Sequence, residues 1–129
     1  MRIAFLGGGN MAAALIGGLV SKGYDVRAIS VIEMSPAARE KLAARYPVRL
    51  STAPDAATQG SEVLVLAVKP QDMQSALASM AGSVRGKLVI SIAAGITLEA
   101  LSGWLEGHRK LVRCMPNTPA LIGAGITGL

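Results

Sequence analysis

Ile3-Ala4-Phe5-Leu6-Gly7-Gly8-Gly9-Asn10-Met11-Ala12-Ala13-Ala14-Leu15-Ile16-Gly17-Gly18-Leu19-Val20 is the stretch around which the rest of the chain is organised. A short apolar run meets a glycine cluster, and the cluster leads straight into a small-residue helical pattern. A strand, a tight turn and a helix in that order make the cradle of a dinucleotide pyrophosphate. Gly7 permits the turn out of the strand. Gly9 lets backbone approach the pyrophosphate with no Cβ in the way, and Ala12 fills the third position, where a small residue lets helix and strand pack closely. The phosphates sit on the free N–H groups of the helix start, where the dipole favours negative charge. Alone, Gly-x-Gly-x-x-Ala is a weak signal, and its plainer reading is a glycine-rich turn in some other α/β domain. Context strengthens it: an apolar run precedes it, a helix follows, and Glu33 stands at the end of the next apolar run. The glycines and Asn10 also interrupt the apolar core that a secretory signal requires.

The 129 residues make one domain with a real core. They are 51% hydrophobic but only 3% aromatic, so that core is built from Ala, Val, Leu and Ile, as suits a buried parallel sheet covered by helices. The longest apolar stretches, 63–68 and 88–96, are too short to span a bilayer, so no membrane partner is expected. Cys114 is the single cysteine; it cannot form an internal disulfide and fits a reducing compartment, here the cytoplasm. The net charge of +5 is scattered, without runs beyond two and without interleaved aromatics. That pattern does not support a nucleic-acid surface, whereas a modest positive field suits a phosphate-rich cofactor. His108 is the only histidine, which leaves little material for a His-based metal cluster or a serine triad. It reads as a surface turn residue, and Cys114 as a small buried one.

Strands are predicted over 2–6, 26–32, 48–50, 63–68, 88–92 and 110–115, alternating with helices over 10–22, 36–44, 52–59, 71–80 and 98–105. Ala12, Leu15, Ile16 and Leu19 share one face of the first helix. Gly17 and Gly18 weaken that helix by about 1 kcal/mol each, which makes sense if the face needs close backbone contact. Gly23 ends it, Ser35 caps the next helix with Pro36 at its first position, and Thr97 caps the last. Strict alternation predicts an α/β fold: a doubly wound, mainly parallel Rossmann sheet of order 3-2-1-4-5-6 with helices on both faces. Ligands of such a sheet bind outside the carboxyl ends of its strands.

Every unusual loop lies at such an end. Gly7 to Met11 hold the pyrophosphate. Ala67-Val68-Lys69-Pro70 pass beside the nicotinamide-side ribose, with Pro70 stiffening the backbone where a flat ring packs; equally, Lys69 reads as a solvated strand end and Pro70 as the first residue of a helix. Ala93-Ala94-Gly95 is either a small-residue loop that admits a cofactor or a tight turn into the next helix. Asn117, with Pro116 and Pro119 stiffening its loop, either orients a ring amide or substrate or satisfies its own backbone. Glu33 is placed to accept from the adenosine ribose 2′-OH, favouring NAD and repelling a 2′-phosphate, yet Ser35 and Arg39 are near enough to welcome one. The choice between NADH and NADPH stays open.

Taken together, residues 5–12, 67–70, 91–95 and Met115-Pro116-Asn117-Thr118-Pro119 resemble pyrroline-5-carboxylate reductase in order and spacing over nearly the whole chain. That family reduces 1-pyrroline-5-carboxylate to L-proline with NADH or NADPH, the last step of proline biosynthesis. The resemblance implies that Leu6, Gly7, Gly8, Gly9, Asn10 and Met11 form the pyrophosphate loop and that Ser35 lies near the adenosine ribose or its 2′-phosphate. It further implies that residues 67–70 and 93–95 touch the cofactor and that Asn117 faces the reaction centre. In the family a helical second domain makes the homodimer and supplies both the substrate carboxylate site and a hydroxyl that assists the imine nitrogen. None of that is present here, so no catalytic side chain is expected in this chain. Residues 1–129 are therefore expected to be the cofactor-binding domain of a longer reductase, able to bind NADPH or NADH but not to turn over alone. Two rivals are a related imine or hydroxy-acid reductase of the same fold and a stand-alone nucleotide-binding module.

Overall fold

The computed structural model describes residues 1–93 and 95–113. Six parallel strands form one sheet in the order β3-β2-β1-β4-β5-β6. The strands are β1 (Ile3–Leu6), β2 (Ile29–Ile32), β3 (Arg49–Ser51), β4 (Val63–Leu66), β5 (Leu88–Ser91) and β6 (Leu111–Arg113). Between them run α1 (Asn10–Ser21), α2 (Pro36–Arg45), α3 (Ala56–Gln59), α4 (Pro70–Ala78) and α5 (Leu98–Trp104). The doubly wound order and the alternation predicted from sequence are therefore both present.

The inner strands β2, β1, β4 and β5 are buried on both faces, and period two divides their residues between two cores. Ile3, Phe5, Val31 and Val65 pack with Ile16 of α1 and Leu42 of α2 on one side. Ala4, Leu64 and Leu66 pack with Met73 and Leu77 of α4 and Leu101 of α5 on the other. β1 lies at the centre, its registers Ile3↔Ile29 and Ile3↔Val63 bringing three apolar strands level. Each fully buried Leu or Ile stabilises the fold by about 1.5–3 kcal/mol, so this two-sided core outweighs the weak propensities of its short helices.

Several boundaries differ from those expected, each for a local reason. β2 begins at Ile29 because the Asp25 carboxylate accepts from the Arg27 N–H at 3.0 Å and draws 26–28 into a 3₁₀ turn. α3 begins at Ala56 because Asp55 and Thr58 form a reciprocal capping box. β4 ends at Leu66, not Val68, because β1 leaves the sheet at Gly7 and the ladder stops with Ala67 N–H donating to Leu6 at 2.8 Å. The expected ends of β6 at Cys114 and Met115 fall outside the described residues. His108 is half-buried and not a surface residue: its Nε2 lies 2.8 Å from the Lys87 carbonyl, to which it donates. Lys87 is itself buried, donating to the Gln59 and Ser61 carbonyls, and burial lowers its pKa.

The caps follow the sequence. Ser35 Oγ accepts from the Ala38 N–H, Thr97 Oγ1 from the Ala100 N–H, and Gly23 (φ +92°) closes α1 with Tyr24 N–H bonded back to Leu19. Gly17 has the close contact anticipated for it: a Cβ there would collide with the Tyr46 hydroxyl at the end of α2. In an unobstructed helix Gly→Ala gains about 1 kcal/mol, whereas overpacking costs about 1–3 kcal/mol. Urea unfolding should therefore find Gly17→Ala destabilising by about 1 kcal/mol in the wild-type background but neutral or stabilising beside Tyr46→Phe. The same sign in both backgrounds would contradict the contact.

Candidate cofactor site

At the carboxyl end of β1 the chain turns through Gly7 with φ +102°, a conformation that L side chains rarely adopt. Its N–H donates to Ile32 at 2.8 Å, and a Cβ would stand 2.9 Å from the carbonyl carbon and oxygen of Ala67. Gly8 is packed as tightly: a Cβ would stand 3.1 Å from Val31 and 3.2 Å from Glu33. At Gly9 the surroundings change, with nothing within 4 Å of an added Cβ. Gly9 is also the cap of α1 and brings no side-chain acceptor, so the first N–H groups of the helix face outward uncapped. Two glycines thus fit against protein and the third against open space. Ala12, fully buried, closes α1 onto β1.

The β2–α2 turn stands beside this loop. Glu33 takes a bond on each carboxylate oxygen, Oε1 from the Gly8 N–H at 2.7 Å and Oε2 from the Ser35 N–H at 2.9 Å. Arg39 folds back: its Nη1 donates to the Glu33 carbonyl at 2.8 Å and the Met34 carbonyl at 3.0 Å. Ser35 caps α2 and is exposed. On the far side, Val68 is half-buried, Lys69 is the exposed cap of α4, and Pro70 is its first residue. Beyond them Ala93 is buried and Gly95 has φ +80°. Ala94 and Asn117 lie outside the described residues.

Two hollows meet at the glycine loop. A cleft of about 600 Å³ at the ends of β1, β2 and β4 is walled by Gly7, Glu33, Met34, Pro54, Val68 and Ala76. A groove of about 410 Å³ between α1 and α2 is bordered by Gly9, Asn10, Ser35, Lys41, Arg45 and Lys69. The groove has cations and no acidic side chain in its lining, whereas the cleft has Glu33 and Asp72. Lys41 Nζ reaches Asn10 Oδ1 at 3.4 Å, tying α2 to the start of α1. Sequence reasoning missed Lys41, Arg45, Met34 and Pro54. The 37-41-45 spacing on α2, one helical face, was the available signal for the first two.

A cradle shaped by three glycines and an uncapped helix start, with a cationic groove beside it, fits a dinucleotide and its phosphate groups. Residues 2–95 match the family model described as NADP oxidoreductase, coenzyme F420-dependent. The chain belongs to that family. It is 42% identical over 129 residues to the pyrroline-5-carboxylate reductase of Pseudomonas aeruginosa, aligning 99% of this chain with 47% of that protein. It is likewise 42% identical to the Synechocystis enzyme of the same name, with 100% and 48% covered. Among solved structures, a pyrroline-5-carboxylate reductase from Coxiella burnetii superposes with a TM-score of 0.83 at 32% identity, over 94% of this chain and 46% of that one. The Plasmodium falciparum pyrroline carboxylate reductase with NADP bound gives 0.78 at 25% identity, over 95% and 45%. The chain spans about half the length of the curated relatives it matches. Among the described residues, no helix is long and apolar enough to cross a membrane, and no group of three or more His, Cys, Asp or Glu is placed to hold a metal ion.

The packing predicts opposite consequences for neighbouring glycines. Gly7→Ala forces a side chain into a strained backbone and against Ala67, and should cost about 1–3 kcal/mol of stability by thermal or urea unfolding. Gly9→Ala, at the N-cap of α1, should cost no more than about 1 kcal/mol of stability yet weaken NADPH roughly tenfold in a fluorescence titration. A Gly9→Ala as destabilised as Gly7→Ala, or one that binds as wild type does, would contradict the open cradle.

Proposed function

We propose that the chain is the cofactor-binding part of an NAD(P)H-dependent pyrroline-5-carboxylate reductase, which reduces 1-pyrroline-5-carboxylate to L-proline. The observation that carries this reading is the likeness, over nearly all of this chain, to about half of each enzyme of that name, together with a glycine cradle open at Gly9. Residues 7–11 would hold the pyrophosphate, the cleft beside Met34 and Pro54 the adenosine, and residues 67–70, of which Val68 also walls that cleft, would lead with Ala93 and Gly95 to the nicotinamide side. The bound nicotinamide supplies a hydride for the imine carbon. A cationic imine is already electrophilic, so the protein's contribution is chiefly to position the two reactants and exclude water. Asn117 and Ser35 keep the proposed assignments made from sequence, while Arg39, donating to the Glu33 and Met34 carbonyls, acts on the turn that presents Ser35. The proposal carries with it a cytoplasmic location and a homodimer of the longer protein.

NADPH and NADH titrations of this chain, followed by nicotinamide fluorescence, test the cofactor half of the reading. Saturable binding supports it, and no binding by the folded chain opposes it. Reduction of 1-pyrroline-5-carboxylate by the longer protein tests the rest, and a protein that binds NADPH but never reduces the pyrroline would refute the substrate. The cationic groove favours a 2′-phosphate. Lys41→Ala should weaken NADPH about fivefold while changing NADH less than about twofold, the difference shrinking at high salt.

A further inference from the structure

The geometry points to Glu33 as a positioning residue that clamps the phosphate loop to the β2–α2 turn, and not as the group that reads the ribose 2′ position. This inference rests on the dinucleotide reading above. Three observations carry it. Both carboxylate oxygens are engaged by backbone, one by the Gly8 N–H at 2.7 Å and the other by the Ser35 N–H at 2.9 Å. The side chain packs closely beside Gly8, where an added Cβ would lie 3.2 and 3.4 Å from Glu33 Cβ and Cγ. The main chain at 33 is held as well, by Glu33 N–H donating to Ser51 at 2.9 Å and by Arg39 Nη1 donating to its carbonyl at 2.8 Å.

A carboxylate that accepts two well-formed N–H bonds has its charge largely satisfied by the protein, and charge-assisted bonds of this length are the strong kind. One of the donors is the middle glycine of the cradle. Without the clamp the Gly8 amide has no partner among the described residues, and the loop that presents the start of α1 is free to shift. Removing the bond therefore loosens the cradle for the part common to NADH and NADPH, the pyrophosphate. A carboxylate reading the ribose behaves in the opposite way. It favours NADH through the 2′-OH and opposes NADPH through charge repulsion, so removing its charge changes the ratio of the two affinities.

Glu33→Gln and Glu33→Asp separate these roles. Gln keeps the size but turns a donor toward one of the two N–H groups. Asp keeps the charge but is one methylene too short to span both. The clamp predicts that each variant, folded as judged by circular dichroism, weakens NADPH and NADH together by roughly fivefold or more, with their ratio changed by less than about threefold. In the cofactor-free chain the amide protons of Gly8 and Ser35 should both move upfield, and that of Gly8 should exchange faster. A Glu33→Gln variant that gains tenfold or more for NADPH over NADH, with Glu33→Asp behaving as wild type, would overturn the inference. Unmoved Gly8 and Ser35 amides would overturn it independently of any cofactor. Failure of the folded wild-type chain to bind either dinucleotide would instead refute the cofactor reading.

Discussion

The approach of Gly7 to the Ala67 carbonyl is the constraint on which the rest of the molecule depends. With a hydrogen at that position, β1 can turn out of the sheet just past the last paired residues, Leu6 and Leu66, close against the Ala67 carbonyl. A methyl group would stand 2.9 Å from a main-chain carbonyl, which has no rotamer by which to yield. The turn aims α1 across the sheet edge, with Ala12 seated on the core and the first N–H groups of the helix over the strand ends. Fold and candidate site are therefore consequences of one close contact. Glycine adopts the φ of +102° there without strain, as a residue bearing a side chain could not.

Around that turn, polar groups fall into two kinds of work. Glu33 and Arg39 are folded onto backbone and hold the β2–α2 turn in one shape. Lys41, Arg45 and Lys69 border a groove without an acidic partner in its lining, so their field is directed at whatever enters. The cleft on the other side of the loop is walled by Met34, Pro54, Val68 and Ala76 together with Glu33 and Asp72. A ligand with a flat apolar part and phosphate groups beside it matches this division.

Most of the fold was legible because its signals are local and redundant. The apolar strands, the small-residue α1, and the caps at Ser35 and Thr97 each point to the same alternation, and parallel pairing leaves few orders for six strands. What was not legible depends on polar contacts that apolar patterning hides or on partners distant in sequence. Asp25 turning residues 26–28 away from β2 is a short-range bond that apolar content hides. Gly17 against Tyr46 was readable only as a need for closeness, since its partner is 29 residues away. In the site, the glycines were evident from spacing, but the engagement of both Glu33 oxygens required knowing that Gly8 and Ser35 flank it from opposite sides. The groove cations needed the α1–α2 juxtaposition as well as their helical spacing.

The central claim is that the uncapped start of α1, framed by the glycine loop, receives the anionic middle of a dinucleotide. Amide-resolved NMR of the chain during titration with NADPH tests it most directly. The account predicts the largest and saturable shifts at the amides of residues 8–12, with smaller ones at 33–35 and 67–69, while the opposite sheet edge near Arg2, Arg27 and Arg49 stays still. Shifts centred on that opposite edge, or a folded chain whose residues 8–12 do not move, would contradict it.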